Sequence, residues 1–76
     1  MGTQIAILGR VVRPGMRFEH ARSFVLFADG SFRPDTCTVT SVRRGVVQYQ
    51  KQSGDVAASY PSSFVSVVSR WLADAA

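Results

Sequence analysis

The sequence predicts a mainly β fold: a small antiparallel barrel or half-barrel of about five strands, followed by one C-terminal helix. Three observations lead there. Short apolar stretches recur between turn signals at Pro14-Gly15, Asp29-Gly30, Arg44-Gly45 and Ser53-Gly54-Asp55. Several of those stretches alternate or are rich in β-branched residues. Only near the end does the apolar spacing become helical. Strong curvature or closure is expected because it removes exposed edges from a small sheet.

Each element has its own pattern. Residues 4–12 carry Ile5, Ile7, Leu8, Val11 and Val12, and whether they join the sheet is open. Met16 to Phe18 is a short strand. Ser23 to Phe27 holds Phe24-Val25-Leu26-Phe27, apolar on both faces, which predicts a central strand with Phe24 and Phe27 in the core. Ser31 to Arg33 returns from Asp29-Gly30, and Pro34 is expected to stop it. Thr36 to Val42 places Cys37 and Val39 on one face, Thr38 and Thr40 on the other. Val46 to Lys51 pairs with it across Arg43-Arg44-Gly45, with Val47 and Tyr49 facing together. Val56 to Tyr60 makes a last strand, with Val56, Ala58 and Tyr60 on one side, ended by Pro61.

The tail reads differently. Phe64, Val67, Val68, Trp71 and Leu72 form one helical stripe, with Ser62 or Ser63 as N-cap. The β-branched Val65, Val67 and Val68 oppose a helix. Residues 63–73 therefore stay open between helix and strand, and continuity of the stripe through Leu72 favours the helix.

At 76 residues the chain has room for one domain, residues 1–76, and for a modest core. Cys37 is the sole cysteine, so no disulfide can form within the chain. One Cys and one His cannot supply a zinc site. A second copy remains open as a source of extra burial, with Trp71, Leu72 and Phe64 expected in the core first. No apolar run is long enough to span a bilayer. Met1 to Val12 has no ordered leader pattern, and with a free thiol the expectation is a cytoplasmic protein with no membrane partner.

Candidate catalytic groups do not converge, so the chain is expected not to be an enzyme and to need no cofactor or metal. His20 adjoins Glu19, but neighbouring strand residues point to opposite faces. His20 reads as a solvated loop residue and Cys37 as a small buried hydrophobe. Asp29 and Asp55 sit in turns, and Asp35 in the loop after Pro34. The glycines are isolated and form no phosphate loop.

The charge is the functional hint. Nine basic residues face five acidic ones, for a formal net charge of +4, and eight of the nine are arginine. GC-rich coding and solubility also favour such a balance. The arginine fork suits phosphate and carboxylate. Arg10, Arg13, Arg17, Arg22, Arg43, Arg44 and Lys51 are the candidate binding residues, with Phe18, Phe24, Phe27 and Tyr49 interleaved. The expected partner is a protein, or else nucleic acid gripped at its phosphates through Arg10, Arg13, Arg17, Arg43 and Arg44.

Two resemblances lie in the C-terminal half. Val39-Thr40-Ser41-Val42, Arg43-Arg44-Gly45, Val47-Gln48-Tyr49 and the Phe64 end resemble small phage, prophage or mobile-element accessory proteins of SH3-like barrel type. That resemblance implies a protein that binds a host protein or nucleic acid. Gly54-Asp55-Val56 and Ser59-Tyr60-Pro61 also look like the active-site stretch of plasmid-borne type II dihydrofolate reductases. Ala58 stands where that family has the glutamine that meets the pteridine, so the likeness implies barrel geometry and not reductase chemistry.

Overall fold

A computed structural model describes residues 4–73. Strands β1 (Ala6–Ile7) and β2 (Arg10–Val11) form a two-stranded ladder of their own. The main sheet is antiparallel and built from β3 (Arg17–Leu26), β4 (Phe32–Arg43), β5 (Val46–Lys51), β6 (Val56–Ser59) and β7 (Val68–Trp71). Its spatial order is β6-β5-β4-β3-β7. A short helix, α1 (Pro61–Val67), joins β6 to β7 and packs against β3, β5, β6 and β7. The sheet is mainly β as expected, but it is not closed into a barrel. β6 and β7 remain its two edges, separated in the chain by α1.

The turns follow from backbone sterics. Arg43 and Val46 are cross-strand partners, leaving Arg44 and Gly45 as a two-residue turn with φ of 53° and 74°. Left-handed residues at both central positions match the twist of the flanking strands. At the β3–β4 turn, Gly30 has φ of 86°, and its N–H donates to the Phe27 carbonyl at 2.9 Å. The Asp29 carboxylate accepts from the Ser31 N–H at 2.9 Å and from its hydroxyl at 2.6 Å.

Alternation then places the core. Cys37, Val39, Val47 and Tyr49 point inward, while Gln48 and Gln50 face out. A register shift between Val39 and Ser41 re-aims β4, so that Val42 rather than Ser41 packs on the core. Phe18 is fully buried at the centre. Its ring meets Tyr49, Phe64 and Trp71 edge-on, at centroid distances of 5.4, 5.2 and 5.7 Å. Residues 4–12 form no ladder with the main sheet, yet Ile5, Ile7 and Val12 join its core. The Trp71 indole N–H donates to the Ile7 carbonyl at 2.8 Å and ties β1 to β7.

Several sequence expectations are corrected. The helix stops at Val67, and Val68–Trp71 is a strand paired with β3. Of the β-branched valines only Val68 takes the extended form, opposite His20 of β3, while Val65 and Val67 stay in the helix. Tyr60 is the N-cap, not Ser62 or Ser63, and Pro61 takes the first helical position. Pro34 does not end its strand: β4 runs through it and pairs it with Phe24. A proline is tolerated there because β5 reaches only Cys37, so that stretch of β4 has a free edge. Most consequential, Ser23 to Phe27 is not a central strand. It belongs to a two-stranded arm extending beyond the sheet, with Phe24 55% exposed and Phe27 half-buried under Arg33.

Candidate functional site

The β1–β2 hairpin turns at Leu8 and Gly9, whose φ values are 49° and 79°. It closes with the Val12 N–H on the Ile5 carbonyl at 2.8 Å. With Ile5, Ile7 and Val12 turned inward, Arg10 and Arg13 are left exposed. The following turn is pinned to the sheet. Gly15 N–H donates to the Val39 carbonyl at 2.7 Å, and Val39 N–H returns to Met16 at 2.8 Å. Arg17 then opens β3 on the face opposite the buried Phe18. Its guanidinium reaches the Ala73 carbonyl at 3.4 Å.

Between these segments lies an open cleft of about 740 Å³. Arg10, Arg13 and Arg17 line it together with Val11, Pro14 and Met16, and no carboxylate among the described residues does. Arg43 and Arg44 lie on the same end of the sheet. Arg17 pairs with Thr38, and β4 continues from Val39 to Arg43, about 13 Å at the usual strand rise. Five exposed arginines therefore share one end. Of the described carboxylates, Glu19 stands two residues from Arg17 on the same face of β3, and the other three sit elsewhere. Glu19 is gripped at two points by Arg70, at 2.7 and 3.3 Å. Asp29 is at the arm tip, Asp35 is buried, and Asp55 is in the β5–β6 turn.

The other predicted residues lie apart. Arg22 is exposed at the irregular stretch of β3 between Glu19 and Phe24. Lys51 is half-buried at the end of β5, opposite Cys37. Of the interleaved aromatics, Phe18 and Tyr49 are buried in the core, and Phe24 and Phe27 belong to the arm at the far end. An aromatic that pattern reading placed only in a strand does lie near the basic end. Tyr60 is 67% exposed and shares a shallow hollow with Val46, Ala58 and Ser59, beside the Arg44-Gly45 turn. Its sequence signal was weak: a residue on the outward face of an edge strand, just before a proline.

A second cluster of polar groups is buried. His20 is not a solvated loop residue; it lies on β3 and is 7% exposed. Its Nδ1 accepts the N–H groups of Arg22 and Ser23, both at 3.0 Å, and so holds the β3 irregularity in shape. The proton of the neutral ring is then on Nε2. Asp35 lies within β4 rather than in a loop and is also buried. Its carboxylate accepts the Ser23 hydroxyl at 3.1 Å and the Gln52 N–H at 3.2 Å, tying β3, β4 and the turn after β5 together. Burial, and after it the Asp35 charge, pushes the Cys37 thiol up to about 11. At neutral pH it is a protonated, packed side chain. Among the described residues no group of three or more His, Cys, Asp or Glu is placed to hold a metal ion.

Burial first, and then Lys51, lower the His20 pKa from its ordinary value; Asp35 opposes this and Arg22 adds to it. The unfolded chain therefore takes up this proton first on acidification. Stability is full above the unfolded value of about 6.5 and falls as pH drops from there through the folded value. The melting temperature should decline between pH about 7.5 and about 5, above the range where carboxylates titrate. His20→Gln can accept the same N–H groups without titrating and should flatten that decline. An unchanged slope in the variant would assign the effect to another group.

Comparison with known protein families, curated proteins and solved structures finds no match. No helix among the described residues is long and apolar enough to cross a membrane.

Proposed function

We propose that this chain is a non-catalytic binding protein whose arginine-rich end grips the phosphates of a nucleic acid. The observation that carries this is the charge segregation. Arg10, Arg13 and Arg17 line one cleft, Arg43 and Arg44 extend the same end, and Glu19, the described carboxylate on the Arg17 face, is already gripped by Arg70. Guanidinium groups suit phosphate geometry, and a one-sided field draws a polyanion to that end. Tyr60 supplies one exposed ring on which an unpaired base can stack. The fold reading that accompanies this is SH3-like. It is supported by a four-strand meander, a short helix, and a last strand that returns to the first strand of the meander.

Fluorescence anisotropy with labelled random-sequence duplex and single-stranded DNA tests the proposal. Binding should weaken steeply between about 50 mM and about 200 mM salt. Absence of binding, or binding indifferent to salt, rejects it. A preference for single strands that Tyr60→Ala abolishes would assign the stacking role to that residue.

A second reading has its own support. The same arginines suit carboxylates, and the exposed apolar arm offers area of the kind protein interfaces use. On that reading the chain is a phage or mobile-element accessory protein that binds a host protein in the cytoplasm. A defined protein captured from lysate after nuclease treatment, and lost on Arg13→Glu with Arg17→Glu, would favour it over nucleic acid.

A further inference from the structure

The main sheet has two faces, and the described chain covers one. α1 and the β1–β2 hairpin pack on the side of Phe18, Val39, Val47 and Tyr49. The opposite side of β3 to β6 has no described element over it. Its residues stand in rows, because antiparallel partners share a face. Arg17, Thr38, Gln50 and Val56 are in register across four strands. Ser41, Gln48 and Ala58 form the next row. Arg43 and Val46 form the third, and Tyr60, one residue beyond the Val47–Ser59 pair, falls beside Val46. The rows extend about 14 Å along β5, and four strands are about as wide.

Its charge and its polar groups set this face apart from an ordinary solvated one. Such faces usually intersperse charges of both signs. These three rows carry Arg17 and Arg43 and, among the described residues, no carboxylate. Glu19, next along β3 from Arg17, is already gripped by Arg70. Between the two arginines lie uncharged hydrogen-bonding groups. The Ser41 hydroxyl donates to Gln48 Oε1 at 3.2 Å, which engages the oxygen and leaves the Nε2 donors for a ligand. Gln50 Nε2 donates to the Gly54 carbonyl at 3.1 Å and leaves its Oε1 as an acceptor. The Tyr60 ring, 67% exposed, lies at the far corner.

We infer that this open face is the bed of a single, unpaired nucleic-acid strand, which crosses from the arginine cleft at Arg17 toward Tyr60 while Gln48 and Gln50 bond to its base edges.

The inference rests on the phosphate-binding reading and narrows it to unpaired strands. Arg17 belongs both to the cleft and to the first row, so a backbone held in the cleft leads directly onto the face. Arg43 meets a phosphate in the third row. Shape then selects between strand and duplex. Duplex base edges lie roughly 7.5–8.5 Å deep in their grooves. Gln48 and Gln50 stand on β5, flanked by β4 and β6, and cannot enter a groove as a lone helix or ribbon does. Unpaired bases can lie directly against the sheet, where the small Ser41 and Ala58 permit close approach. A four-stranded face of this kind accommodates about two or three bases.

Fluorescence anisotropy of the full chain at one low salt concentration, with labelled oligothymidylate and a duplex of equal length, tests the inference. The single strand should bind at least about 10-fold more tightly than the duplex. Tyr60→Leu should weaken strand binding by roughly 5-fold or more and leave duplex binding nearly unchanged. Gln48→Ala with Gln50→Ala should act in the same direction and keep the wild-type circular dichroism. In NMR spectra, the side-chain amide resonances of Gln48 and Gln50 should shift when the strand is added. Equal affinity for strand and duplex, or resonance shifts confined to residues 9–17, overturns the inference and leaves the phosphate-binding reading intact. Binding of neither polymer overturns both.

Discussion

Replacing Phe18 with alanine is expected to lower the melting temperature by about 15–30 °C and to leave part of the chain unfolded at room temperature. The residue has no exposed surface and its ring touches three other aromatic rings, from β5, α1 and β7. Removing it costs about 3–5 kcal/mol, through lost burial and the cavity left behind. A chain of this length holds roughly 4–11 kcal/mol in total. The cavity would also open where α1 and β7 are anchored, since both reach the sheet through Phe64 and Trp71. Phe18→Leu fills most of the volume and should lose about 1 kcal/mol. Thermal denaturation followed by circular dichroism measures both. A drop below about 5 °C for the alanine variant would mean that the sheet does not depend on this aromatic cluster.

The second large effect is on binding. If all five arginines at the basic end engage phosphates, the slope of log K against log salt is about −4.5 on duplex DNA. Affinity then falls about 500-fold between about 50 mM and about 200 mM salt. Arg13→Gln with Arg17→Gln removes two contacts from the cleft. The slope should fall by nearly 2 and the affinity at about 50 mM salt by roughly 100-fold. The same pair of substitutions should barely move the melting temperature, because both side chains are exposed and neither has an ion pair among the described residues. Arg33→Gln with Arg70→Gln is the matching control. These two arginines are already held by Asp29 and Glu19, so the slope should change little. Equal losses from both double variants would mean that only net charge matters and that the cleft has no special role.

The turns and the inner sheet were legible because their determinants are local. Gly30, Gly45 and Gly54 adopt positive φ, which glycine accepts without a steric penalty, and each lies in a turn read from the chain. Cys37, Val39, Val47 and Tyr49 alternate with polar residues, so the buried face of β4 and β5 could be assigned directly. The absence of Glu19 and His20 from a shared site also followed from strand alternation: one meets Arg70 and the other the interior.

Other features depended on what lies opposite in space. Phe24 to Phe27 is apolar on both faces and reads as an interior strand, yet neither β5 nor β7 extends far enough to flank it. The same composition thus became an exposed arm. The stripe from Phe64 to Leu72 satisfies a helix, but its second half gains ladder bonds with β3 that a lone helix end cannot match. His20 and Asp35 carry no local mark of burial. Their partners, the N–H groups of Ser23 and Gln52 among them, converge only once β3, β4 and the turn after β5 are assembled.

By itself, the sequence determined a mainly β chain, the places where it turns, the inward face of β4 and β5, and an excess of arginine. These rest on steric preference, alternation and formal charge, which act within a few residues. Tertiary structure alone decided that the sheet stays open and that the tail divides into helix and strand. It also decided that five arginines share one end while an apolar arm occupies the other. Those outcomes depend on which strands end early and which surfaces they leave uncovered, and both are set by contacts between residues distant in the chain.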